Sequence, residues 1–149
     1  PENPLGFYYR AAAMLASGQV KAGFNHLLMQ LHAEPNSPAV LWYTLGEAYL
    51  AQRAYKEALI VFDVARERFN VGDLSLYLAS DDPPRDINLN RGRALVGLSD
   101  PEQCAQAETL LERWNAPADI IERARSCQTP TPTLTPWIPA QTTLYPPPL

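Results

Sequence analysis

Residues 39–70, AVLWYTLGEAYLAQRAYKEALIVFDVARERFN, decide the fold. Apolar side chains at Leu41, Trp42, Leu45 and Tyr49 recur at the spacing of one helix face. Ser37 ahead of them is a good N-cap, with Pro38 at the first helical position. Gln52-Arg53-Ala54 then turns the chain. A second apolar stripe follows at Leu59, Phe62, Ala65 and Phe69. The stretch is therefore expected to form a helical hairpin.

Working outward, the same pattern recurs at a fixed interval, the mark of a repeat architecture. Pro1-Glu2-Asn3-Pro4-Leu5-Gly6-Phe7-Tyr8-Tyr9 aligns with Pro35-Asn36-Ser37-Pro38-Ala39-Val40-Leu41-Trp42-Tyr43. Leu15-Ala16 aligns with Leu50-Ala51, and Lys21 with Lys56, one residue further on. Gly18 is expected to end a first helix, with a second from about Val20 to His32. Asp100-Pro101-Glu102-Gln103 supplies an N-cap, a first-turn proline and a capping-box Gln for a later helix. Pro117 opens a last helix ending near Cys127. Val71 to Asp82 reads as a long connection whose Leu74, Leu76, Tyr77 and Leu78 pack on the core.

Residues 39 to 70 resemble the tetratricopeptide repeat. That family's pattern of Trp, Leu-Gly and Tyr, then Ala, aromatic and Ala, is met by Trp42, Leu45-Gly46, Tyr49, Ala58, Phe62 and Ala65. Gly46 and Ala58 are small where the paired helices would cross, and the aromatics fill the space around the crossing. The first unit has Ala11-Ala12 and Gly23 at these positions. A third, degenerate unit has Gly92, Leu95, Ala107, Leu111 and Trp114, with about three extra residues between its helices. The resemblance spans roughly residues 1 to 114. It implies an all-α fold, a right-handed α-solenoid of about three helical hairpins over residues 1–128. The Pro117–Cys127 helix would close it. It also implies a concave groove that takes a peptide or partner protein. The lining would come from the first helix of each hairpin: Tyr9 and Ala13, then Tyr43, Glu47 and Leu50, then Leu89, Arg93 and Val96. The plain alternative for Tyr9 and Tyr43 is an amphipathic surface.

Composition narrows the class. The chain has 149 residues, 46% of them apolar, 19% charged, and a net charge of -4. That suits one domain with its own core. No basic patch points to nucleic acid, and no apolar run reaches the roughly 18 residues of a membrane span. Residue 1 is Pro, which reads as a processed product or fragment. His26 and His32 stand six apart on one helix and do not face a common metal. Asp81, Asp82 and Asp86 beside Pro83-Pro84 read as helix-capping charge rather than a cation site. Phosphate loops, metal spacings and nucleophile elbows are absent from the sequence. A non-catalytic chain is expected, without cofactor or metal.

Cys104 and Cys127 stand equally far from the turn at Asn115-Ala116. In an antiparallel hairpin they share a level, so a disulfide is expected, and with it an exporting, oxidising compartment, extracellular or periplasmic. From Thr129 the chain changes character, with seven Pro and no charge through Leu149. Such a tail is expected to be extended. Its Thr/Pro alternation resembles the stalks of secreted proteins, making Thr129, Thr131, Thr133 and Thr135 candidates for O-linked glycans. Trp137, Ile138, Leu144 and Tyr145 are large apolar groups, costly to leave in water. They are read as anchors that dock the tail either along its own groove or, the favoured reading, on a neighbour.

Pro1-Glu2-Asn3-Pro4 looks like a junction between repeats with no repeat before it, which would leave an uncovered end. The expected function is a scaffold that assembles head to tail with other copies of itself, as a fibre or surface subunit. One alternative is a monomeric adaptor binding a segment of a different envelope protein in its groove. Another is a regulatory appendage of a larger enzyme.

Overall fold

The computed structural model describes residues 4–78 and 80–129. Among these it is all-helical: α1 Pro4–Ala16, α2 Val20–Ala33, α3 Ala39–Ala51, α4 Tyr55–Glu67, α5 Pro83–Gly97, α6 Pro101–Arg113 and α7 Ala118–Ser126, with a 3-10 helix at Val71–Leu76 between α4 and α5. Each α-helix packs on the next, and α1, α3, α5 and α7 also touch the next but one. Odd-numbered helices thus form one layer. The sequence junction at residues 1–3 lies outside the described residues.

Four of the helix–helix turns share one device. Gly18, Arg53, Ser99 and Asn115 each take a positive φ, at 83°, 59°, 56° and 52°. A left-handed residue after the last helical turn lets nearby N–H groups reach back to the free carbonyls. Arg53 N, for instance, donates to Leu50 O at 3.0 Å and Ala54 N to Tyr49 O at 2.9 Å. Only the first of these turns uses Gly. Arg53 and Ser99 hold the conformation against a steric cost of about 1–2 kcal/mol.

Small residues set the helix crossings. A Cβ on Gly46 would stand 2.5 Å from the Phe62 ring, one on Gly92 2.5 Å from Leu111, and one on Gly23 2.9 Å from Leu15. The same device therefore brings α1 to α2, α3 to α4 and α5 to α6. In the third pair α6 begins one turn earlier relative to its crossing. That extra turn, capped by Asp100 accepting from Gln103 N at 3.1 Å, carries Cys104.

Two apolar cores result. The larger runs through α1–α5 around Leu27, Leu41 and Phe62; the smaller joins α5, α6 and α7 around Leu89, Leu111 and Ile120, and Leu59 touches both.

One local expectation fails. Ser37 does not cap α3, which starts at Ala39 with Pro38 as its N-cap. The Ser37 hydroxyl instead donates to Glu34 O at 2.7 Å and accepts from buried Gln30 at 3.4 Å. Closing the buried turn after α2 outweighs capping α3. Asp82 and Asp86 do serve the start of α5. Asp82 accepts from Arg85 N at 3.3 Å, and Asp86 accepts from the Ser80 hydroxyl at 2.5 Å.

Candidate functional site

The connector between α4 and α5 carries few buried groups, yet it crosses the odd-helix layer. Its 3-10 helix has no buried residue, and Val71 and Leu78 are exposed. What holds it is Tyr77, only 6% exposed. The Tyr77 ring lies 5.6 Å from Tyr43 and 6.0 Å from Phe69. From α1, the Tyr8 hydroxyl donates to Leu76 O at 2.8 Å.

Beneath this strap lies a cavity of about 310 Å³ between α1 and α3. Ala12, Leu15 and Val40 supply apolar wall. Tyr8, Tyr43, Thr44, Glu47, Tyr77 and Ser80 supply polar groups. Nearly all of these are already partnered. Thr44 donates to Val40 O at 2.8 Å, and Tyr43 accepts from Asn90 at 3.3 Å. The Tyr77 hydroxyl is buried without a partner.

The surroundings disfavour charge on three of these groups. Burial, then the neighbouring Glu47, pushes the Tyr43 phenol well above its ordinary range. Burial, then Asp73, does the same for Tyr77. Glu47 is exposed as a residue, yet desolvation of its carboxyl, with a further contribution from the charge of Asp86, raises its pKa despite the hydrogen bond with Tyr43. The arrangement offers an apolar hollow with phenolic hydroxyls and one carboxyl whose charged form is disfavoured.

A second, shallower hollow of about 240 Å³ lies further along, between Leu50, Tyr55, Arg93, Val96, Ile120 and Arg123. Tyr43 and Glu47 line the first, Leu50, Arg93 and Val96 the second, and a more open hollow of about 460 Å³ brings Glu47, Leu50 and Arg93 together. Tyr9 and Ala13 line none of these and are exposed; their neighbours Tyr8 and Ala12 face the cavity. Leu89 is 2% exposed, inside the smaller core, and lines none of these hollows. The sequence reading missed Tyr8 and the role of Tyr77. Two adjacent tyrosines left the register of α1 open, and the connector has no periodicity to reveal what it crosses.

At the other end, Cys104 and Cys127 form a disulfide with Cα atoms 5.8 Å apart. Beside it Arg125 reaches Glu108 and Glu112, each at 2.9 Å, and Gln128 reaches Glu108 at 2.5 Å. The Gln128 hydrogen bond, then Arg125, lowers the Glu108 pKa. Of the tail groups, Thr129 is exposed. Thr131, Thr133, Thr135, Trp137, Ile138, Leu144 and Tyr145 lie outside the described residues. No helix among the described residues is long and apolar enough to cross a membrane.

The class this defines is an all-α protein of successive helical hairpins, closed at one end by a disulfide. No family model matches the chain, and no curated protein matches it at a significant level.

Proposed function

We propose that the chain is a tetratricopeptide-type scaffold, a right-handed solenoid that binds protein rather than transforming a substrate. Its Pro-rich tail would dock on another copy and so drive head-to-tail assembly. The observation that carries this reading is the repetition of one crossing device, at Gly23, Gly46 and Gly92, beside a layer of odd-numbered helices that carries two of the hollows. A surface built by repetition, with two of its tyrosines held neutral, favours extended partners over chemistry. The disulfide favours export, since such bonds persist in oxidising compartments.

Light scattering on the full chain and on a chain lacking residues 129–149 tests the proposal. The full chain is expected to give particles larger than a monomer, and the shortened chain a monomer that keeps its helical circular dichroism. A shortened chain that still polymerises, or a full chain that stays monomeric at high concentration, sinks the assembly reading. Mass measurement under reducing and non-reducing conditions tests the disulfide and any sugar on Thr129, Thr131, Thr133 and Thr135. A mass equal to the bare polypeptide excludes the glycan.

A further inference from the structure

The cavity under the connector is asymmetric in its hydrogen-bonding needs. Tyr8, Thr44 and Ser80 each donate to a protein oxygen, and Tyr43 has partners in Asn90 and Glu47. Tyr77 alone among the cavity's hydroxyls has none, although it is buried. A buried hydroxyl without a partner is costly to keep from water. An occupant that hydrogen-bonds to it recovers that cost, and a carbonyl oxygen does so without bringing a further donor into the hollow.

This chain contains a segment with that chemistry. Residues 144–148 read Leu-Tyr-Pro-Pro-Pro. Proline has no backbone N–H, so the run offers carbonyl acceptors without matching donors. Its rings stack well on aromatic walls, which is how proline-rich segments are gripped by aromatic grooves. The segment also repeats what the cavity already holds. Ser75-Leu76-Tyr77 on the connector and Thr143-Leu144-Tyr145 on the tail are both a hydroxyl residue followed by Leu-Tyr. A hollow of about 310 Å³ accommodates one further aromatic side chain and a flanking proline beside Tyr77, at the lower end of the roughly 300–1,000 Å³ common for ligand pockets. An extended chain from Thr129 to Tyr145 spans about 50 Å, at about 3.1 Å per residue.

We infer that the hollow between α1, α3 and the connector is the seat for residues Leu144–Pro148 of the tail, Tyr145 entering beside Tyr77 and a following carbonyl accepting the Tyr77 hydroxyl. This deepens the scaffold reading and rests on the tail engaging helices.

The test uses the full chain with Tyr145 replaced by the photo-reactive benzoylphenylalanine. After irradiation, peptide mapping is expected to place the cross-link on residues 8–16, 40–47 or 77–80. Cross-links that map elsewhere, or none at all, overturn the inference. Adding Tyr77→Phe, which removes the hydroxyl and keeps the ring, is expected to lower the yield about fivefold, the worth of one net hydrogen bond. An unchanged yield removes the role given to that hydroxyl. The mass of the product separates the two readings. A cross-link at the seat joining two chains supports both, whereas one within a single chain keeps the seat and sinks head-to-tail assembly.

Discussion

At the α6–α7 end a disulfide, the Arg125 carboxylate cluster and Gln128 bind the last helix to its neighbour. At the α1–α3 end there is no comparable bond among the described residues. The connector is fastened over a hollow by one buried tyrosine and one hydrogen bond from Tyr8. The first end is tied across helices: Arg125 on α7 finds Glu108 and Glu112 on α6. The second retains an unsatisfied hydroxyl and unfilled volume. Small helical domains gain more from a covalent staple where a short helix has little to bury, and α7 has only Ile120 and Ala124 fully inside. Capacity to bind is concentrated where the packing was left incomplete.

Removing the staple is the strongest way to break this contrast. Cys104→Ser with Cys127→Ser opens a loop of sequence separation 23 and is expected to cost about 3 kcal/mol in urea unfolding. Hydrogen exchange is expected to show α7 losing protection while α1 keeps its own. Equal loss at both ends would mean that the two regions do not differ in the way described.

Two tyrosines sharpen it. Tyr8→Phe removes the bond to Leu76 O and is expected to destabilise by about 1 kcal/mol, with faster exchange in residues 71–78. In a chain lacking residues 129–149, Tyr77→Phe deletes a hydroxyl that has no partner, so thermal unfolding there should be unchanged or slightly higher. Equal losses for the two substitutions would contradict the assignment of Tyr77 as unpaired.

The smallest effect concerns Glu47. Its pKa is raised in the folded state, first by desolvation, so ionisation works against folding. Below the usual glutamate value of 4.5 both states are protonated and nothing is lost. As pH rises through that value and past the folded pKa, this contribution disappears. Glu47→Gln is therefore expected to raise the melting temperature slightly at pH 7 and leave it unchanged near pH 3. Because Glu47 is exposed as a residue, water screens the effect and keeps it small. A larger gain at pH 3 than at pH 7 would reverse the sign argued here.

The sequence alone determined the helices, their turns and the cysteine pair. Helical periodicity, proline and aspartate at helix starts, and equal distance from a turn are local properties, fixed by bonds within a few residues. It could not show that Arg53 and Ser99 would adopt the conformation of Gly18, because packing on both sides compels a strain that composition does not record. Nor could it decide between Tyr8 and Tyr9, or place Tyr77 across α1 and α3. Those depend on which surfaces meet over dozens of residues, and only the tertiary structure, where burial of one ring excludes burial of its neighbour, settled them.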